Sequence, residues 1–345
     1  MRRYDHGGDI CGNANVTLDF SVNTHPLGMP EGVKRALAGR MADWERYPDP
    51  HCRALTAALA AYHGVEKNWV LCGNGATDLI FRICASLRPR RALALSPTFS
   101  EYERSVSLFG GKTLEVPLSE QDGFALTERI LDALSPDMDM LFLCNPNNPT
   151  GRLADPALLR RIADKCGESG ICLVLDECFI GFTDGESMIP LLKTHPHLMI
   201  LRAFTKLFCL AGLRLGYLLC ADTALLSEVG RFAQTWSVSV PAQTAGLAAL
   251  GEHGWAEQTR QLVREARAFM TAALSPLGLD VLPSDANFLL VKSGTPLYQP
   301  LLQRGMLVRD CSNFSGLDEQ YIRIGLKTRD KNEALLHALS EVLHG

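Results

Sequence analysis

Met140-Leu141-Phe142-Leu143-Cys144, Cys172-Leu173-Val174-Leu175 and Met199-Ile200-Leu201-Arg202 are short, almost wholly apolar runs, and the first two flank the amphipathic stretch Pro156–Cys166. Runs of this length and composition suit strands buried on both faces, which is how strands sit in a parallel sheet covered by helices. Outward from them, Trp69–Cys72, Ala92–Leu95 and Leu215–Cys220 repeat the strand signature. Thr77–Leu87, Ser100–Phe109 and Thr223–Thr235 join Pro156–Cys166 as helix-like segments, several opening at Pro, Ser or Thr as helix starts do. The alternation predicts an α/β fold with a mostly parallel sheet between helices from Trp69 to Cys220.

Beyond Pro241 the rhythm lengthens. Gln243–Leu250 and Trp255–Leu274 carry helical periodicity, the second long enough to bridge two domains. Strand-like Asn287–Val291, Met306–Val308 and Tyr321–Ile324 then interleave with helix-like Leu297–Arg304 and Lys331–Val342, a small α+β unit. The expected division is a large domain over 41–244 and a smaller one made of 1–40 with 245–345. With 345 residues, 47% of them hydrophobic, the chain has ample material for both cores. A net charge of -4 gives no basic field for nucleic acid or anionic lipid, so an anionic ligand needs a local site. Eleven cysteines without a C-x-x-C pair read as reduced, mostly buried thiols, and no metal site is assigned. The N-terminus has no apolar leader, and the longest apolar run, Ala57–Tyr62, is far below the ~18 residues of a membrane helix. A cytoplasmic location is expected.

Three strand ends carry unusual chemistry, and in an open α/β sheet ligands bind at those ends. Leu71-Cys72-Gly73-Asn74-Gly75-Ala76-Thr77 is a glycine turn opening a helix, where free N–H groups can hold a phosphate; a plain tight turn reads the same way. Asn145-Pro146-Asn147-Asn148-Pro149-Thr150-Gly151 is a rigid loop that can project an amide. Asp176, directly after an apolar run, needs a cation or strong donor, or else serves as a helix cap or structural ion pair. Some thirty positions on, Lys206 in Phe204-Thr205-Lys206 sits among Leu201, Leu207, Phe208 and Leu210, where desolvation would lower its pKa and favour a nucleophilic amine. Arg214 follows in Gly212-Leu213-Arg214-Leu215-Gly216-Tyr217. A phosphate cup, a carboxylate and a desolvated lysine are the parts a pyridoxal phosphate enzyme requires.

These motifs, N-P-x-N-P-T-G, D-E and T-K-x(7)-R-x-G-Y in that order, resemble the class I/II aminotransferase superfamily of fold-type I pyridoxal 5'-phosphate enzymes over nearly the whole chain. The resemblance implies that fold, with a seven-stranded-type sheet, and a role for each matching residue. Lys206 would be the Schiff-base lysine, Asp176 the partner of the ring nitrogen and Asn148 the donor to the ring hydroxyl. Phe99 would stack on the ring, or is simply a core phenylalanine. Gly75, Ala76, Thr205 and Arg214 would hold the cofactor phosphate, with Thr77 next in the turn. Tyr47, in Glu45-Arg46-Tyr47-Pro48-Asp49, would reach the phosphate of a neighbouring subunit, implying a homodimer. Ala203 stands where the family usually has Ser or Thr, the loss of one phosphate hydrogen bond worth ~1 kcal/mol.

Within the superfamily the chain most resembles the threonine-phosphate decarboxylases of cobalamin side-chain synthesis, through His6-Gly7-Gly8-Asp9, Leu18-Asp19-Phe20-Ser21, Pro26-Leu27-Gly28-Met29-Pro30, Trp236-Ser237-Val238 and Gly316-Leu317-Asp318. Histidinol-phosphate aminotransferases come next, but they usually carry tyrosine where this chain has Phe179. In the other direction, His25 replaces an asparagine common in the decarboxylases and borders the substrate-facing N-terminal segment. The resemblance implies a phosphorylated amino-acid substrate, with Arg323 for its carboxylate and Arg309, with His6, for its phosphate. Asn23 is a further candidate contact, or a turn-forming asparagine. Serine phosphate stays open as a substrate beside threonine phosphate.

Overall fold

The computed structural model describes residues 6–13 and 15–344; Met1–Asp5, Ala14 and Gly345 lie outside the described residues. In chain order the first elements are β1 (Leu18–Asp19), α1 (Glu31–Ala38), α2 (Arg53–His63), β2 (Val70–Gly73), α3 (Ala76–Leu87), β3 (Arg91–Ser96), α4 (Glu101–Leu108), β4 (Lys112–Pro117) and α5 (Arg129–Ala133). Then come β5 (Met140–Cys144), α6 (Pro156–Ser169), β6 (Cys172–Asp176), β7 (Leu198–Ala203), β8 (Gly216–Leu219), α7 (Thr223–Arg231), α8 (Val240–Leu250) and α9 (Trp255–Leu274). The last are β9 (Asp280–Val281), β10 (Phe288–Lys292), α10 (Tyr298–Gln303), β11 (Met306–Leu307), β12 (Arg309–Asp310), β13 (Tyr321–Gly325) and α11 (Arg329–His344).

The apolar runs pair into a seven-stranded sheet of order β2-β8-β7-β6-β5-β3-β4. All neighbours from β7 to β4 are parallel, while β8 is antiparallel to both β7 and β2. Both faces are covered: Leu141, Leu143, Leu173, Leu175 and Ile200 enter one core, and Met140, Phe142, Val174, Met199 and Leu201 enter another on the opposite face. That double burial is why these strands read as continuous apolar runs. Asp155 caps α6 by accepting from the Ala157 N–H, and Asp222 caps α7 by accepting from Ala224 and Leu225, each contact worth about 1 kcal/mol.

Four elements illustrate the departures from the expected pattern. β4 is a seventh strand beyond the six runs seen in the sequence: it is an edge strand, with Lys112 and Glu115 exposed, so it lacks an apolar run. α1 and α2 are likewise additional, and Val33 and Leu55 from them lie in the larger core. α7 stops at Arg231 rather than Thr235, and the chain turns before Trp236, whose φ of 63° is left-handed.

The C-terminal third builds an antiparallel sheet of order β12-β13-β10-β9, with Phe288, Ile322 and Ile324 packed against Val263, Met270 and Leu274 of α9. Phe20 joins this core, and β1 pairs in parallel with β11. Helix α9 bridges the two cores, because Trp255 at its start packs on the larger one. Among the described residues no helix is long and apolar enough to cross a membrane.

Candidate active site

The C-terminal ends of β2, β5, β6 and β7 lie on one edge of the sheet, as the strand directions require, and a cavity of about 350 Å³ opens there against the smaller sheet. It is lined by Lys206, Asp176, Asn148, Phe99, Ala76, Thr77, Thr205 and Arg214 from one side and by His6, Asn23, Arg309 and Arg323 from the other. Every candidate residue except Gly75 and Tyr47 therefore lines one space. Gly75 stands immediately behind it as the N-cap of α3.

The cup at Gly75 is shaped by close approach. Gly75 has φ 90°, and a Cβ on it would fall 2.7 Å from the Arg214 guanidinium. A Cβ on Gly216, at the start of β8, would fall 2.7 Å from the Ala76 nitrogen. Asp78 accepts from the Asn74 N–H at 2.7 Å and is held in turn by buried Arg82, 2.5 Å away, so the turn is braced from below. Overpacking of this kind costs ~1–3 kcal/mol, so Gly216→Ala is expected to weaken cofactor binding about tenfold or more. Absorbance titration of the folded variant checks this; unchanged affinity would remove Gly216 from the cup.

Asp176 ends β6 and is buried. Tyr102 donates its hydroxyl to Oδ2 at 2.7 Å and the Cys178 N–H donates to Oδ1 at 2.9 Å, so both oxygens are engaged. Burial pushes the carboxyl pKa up, against the downward pull of Cys178, Tyr102 and Lys206. Lys206 is lowered to about 8, chiefly by burial and then by the Arg323 charge, and its Nζ lies 5.9 Å from the centre of the Phe179 ring. Half of the amine is thus unprotonated near pH 8. This is the desolvated lysine the sequence called for.

The Asn-Pro loop divides its labour. Asn145 accepts from the Ala154 N–H, and Asn147 is held by Thr98, Thr150 and the Pro97 carbonyl, so both fix the loop. Asn148 alone of the three asparagines lines the cavity, and its Oδ1 accepts from Arg323. Arg323 also donates to the Ser21 carbonyl at 2.7 Å, and burial lowers its pKa to about 10. Arg309 is its direct partner across the β12/β13 ladder, which is why residues fourteen apart reach one cavity. Asn23 borders the cavity, with its Oδ1 enclosed and without a hydrogen-bond partner.

Sequence reasoning missed several groups. Tyr102, in the first turn of α4, holds Asp176 and meets the loop residue Phe99 edge-on with ring centres 5.6 Å apart; no local spacing signalled it. Glu101, almost wholly buried, bonds His6 at 2.6 Å and Arg104 at 3.3 Å. Cys144 and Cys178 also line the cavity, as do Phe179 and Ala203. His25, two residues from Asn23, does not line the cavity and is buried against Trp255, with ring centres 4.5 Å apart. Tyr47 lies away from the chain's own cavity, 76% exposed and stacked on exposed Trp236 at 4.3 Å.

Residues 15–339 match the family model "Aminotransferase class I and II". This chain belongs to that family. A threonine-phosphate decarboxylase of Salmonella typhimurium is 44% identical to it, covering 99% of this chain and 97% of the relative. Among solved structures, the histidinol-phosphate aminotransferase of Clostridium acetobutylicum superposes with a TM-score of 0.88 at 28% identity, covering 94% of this chain and 99% of that one. The L-threonine-O-3-phosphate decarboxylase of Porphyromonas gingivalis does so with 0.84 at 29% identity, with the same coverage. The backbone is therefore common to both activities, and side chains must separate them. Class I and II aminotransferases are pyridoxal 5'-phosphate enzymes, and the residues here fit that cofactor. The glycine cup beside Arg214 suits its phosphate, Asp176 with two donors suits a cationic ring nitrogen, and Lys206 is an amine with a lowered pKa.

Proposed function

We propose that this chain decarboxylates L-threonine O-3-phosphate to (R)-1-aminopropan-2-yl phosphate in cobalamin biosynthesis. The observation that carries the reading is the end-to-end 44% identity with a threonine-phosphate decarboxylase. The geometry supports it with two buried arginines, Arg309 and Arg323, across one strand pair and facing one cavity. A phosphoamino acid presents two anions, and arginine forks bind carboxylate or phosphate bidentately.

Lys206, Asp176, Asn148, Phe99, Gly75, Ala76, Thr77, Thr205 and Arg214 would hold pyridoxal phosphate, which supplies an electron sink for the bond broken at Cα. Lys206, partly unprotonated, provides the amine that anchors the cofactor and, after substrate enters, a base within the cavity. Asp176 holds positive charge at the ring nitrogen. Arg323 orients the substrate carboxylate, Arg309 with His6 holds the phosphate end, and Asn23 is a further substrate contact. The carbon–carbon bond pair stays with the substrate as carbon dioxide leaves, and Lys206 or water delivers a proton to Cα in its place. Phe179 offers no phenol to the ring oxygen, so that contact falls to Asn148.

The likeness to a histidinol-phosphate aminotransferase structure favours a second reading, amino transfer on a related phosphorylated amine. Purified protein given threonine phosphate without a keto acid is expected to release carbon dioxide. Strict dependence on 2-oxoglutarate with histidinol phosphate would overturn the decarboxylase reading. Serine phosphate lacks one methyl group, a difference of ~1–3 kcal/mol, so it should be turned over about ten to a hundred times less efficiently.

The same reading places Tyr47 in the neighbouring site of a homodimer, with exposed Met41, Trp44 and Trp236 as the apolar surface it would share. A cytoplasmic location goes with the eleven free cysteines. Residues 41–244 would be the cofactor unit and 1–40 with 245–345 the substrate-facing unit; α1 packs on α8, the helix that spans the 244/245 boundary, within the larger core.

A further inference from the structure

His25 stands out as a buried histidine outside the cavity. Its ring stacks on Trp255 with centres 4.5 Å apart, and its Nε2 lies 2.8 Å from the Thr259 hydroxyl. That hydroxyl donates to the Trp255 carbonyl at 2.6 Å, so the Nε2 carries the proton and Thr259 accepts it. The other ring nitrogen accepts from the Leu27 N–H at 3.1 Å. Both nitrogens are committed and the ring is neutral, its pKa lowered by burial to about 4.

The same cluster grips the catalytic turn. The His25 main-chain N–H donates to the Lys206 carbonyl at 3.0 Å, and the Trp255 indole N–H donates to the Leu207 carbonyl at 2.9 Å. Two consecutive carbonyls are thus held from outside the large sheet, one by the N-terminal segment and one by the first residue of α9. Leu207 packs against both hydrophobic cores, so this peptide sits where they meet.

We propose that His25 and Trp255 are positioning residues for Lys206, clamping the Lys206–Leu207 backbone so that the amine stands at a fixed place among its charged neighbours. Those neighbours are Arg323, Arg214 and Lys327, which oppose its protonation, and Asp176, which favours it. The clamp requires the neutral His25 tautomer: without the Thr259 acceptor, a buried N–H is left unpaired and the stack loosens. The inference rests on Lys206 being the cofactor lysine, but its test does not.

In the full-length chain without cofactor, the Lys206 amine is titrated by the pH dependence of its acetylation, read by mass spectrometry. Trp255→Phe keeps the ring and removes the indole donor; Thr259→Val keeps the shape and removes the acceptor for His25. In each, the Lys206 midpoint is expected to rise by about half a unit or more toward the ordinary lysine value, as the loosened amine reaches water. Midpoints at the unmutated value in variants of normal far-UV dichroism would overturn the clamp. Should Trp255→Phe fail to fold, Thr259→Val decides alone. If Lys206→Ala kept the cofactor's lysine-linked absorbance, the reading of Lys206 would fail while the measured clamp could still stand.

Discussion

Replacement of Lys206 by alanine is expected to abolish the lysine-linked cofactor absorbance and to lower turnover by about four to six orders of magnitude, the range met when an obligatory nucleophile is deleted. The effect is large because the amine is irreplaceable locally: among the described residues, no second lysine lines the cavity, and its cations there are four arginines, Arg104, Arg214, Arg309 and Arg323. Guanidinium groups stay protonated and are poor nucleophiles. Lys206→Arg separates the charge from the chemistry, since it keeps a cation beside Asp176 and supplies no free amine. Both variants should fold, and both should lose activity. Absorbance and turnover within tenfold of the unmutated protein would show that another group does the work.

Asp176→Asn is expected to cost about 3–5 kcal/mol, two to four orders of magnitude in kcat, because it removes the charge that faces a buried cation. Its shape is conserved, so the fold should persist; melting and kcat are measured on the same preparation. The pH dependence gives a second readout. Burial raises the Asp176 pKa, so the neutral acid gains ground as pH falls, and activity should decline on that acid limb. Asparagine cannot titrate, and its limb should vanish. Tyr102→Phe removes a donor that lowers the Asp176 pKa, so in that variant the acid limb should move to higher pH. An unmoved limb in Tyr102→Phe would mean that the phenol only fills space.

Much of this was legible in the residues. Asp176 lies at the end of a run whose every apolar residue is needed by one of two cores, and so its position at the sheet edge follows from the run itself. The turn at Gly73–Thr77 and the lysine among apolar neighbours announce themselves by local composition. What was not legible depended on partners distant in sequence. Tyr102 meets Asp176 across 74 positions, and Glu101 meets His6 across 95. The edge strand Lys112–Pro117 is held by backbone pairing with β3 and buries too little to leave a pattern. Nor does the sequence tell which residues of the N-terminal segment face the site: Asn23 borders the cavity and His25 meets α9.

The opposition of Arg309 and Arg323 on β12 and β13 makes the smaller sheet a gauge of substrate length. Directly opposed residues in an antiparallel pair sit roughly 4.5–5.5 Å apart at their Cα atoms, and backbone hydrogen bonds hold that interval far more stiffly than a loop could. Under the proposed roles, the separation between the two anions of a ligand is measured against one rung of a ladder. A phosphoamino acid with an extra methylene cannot stretch the rung and must fold its own chain to fit.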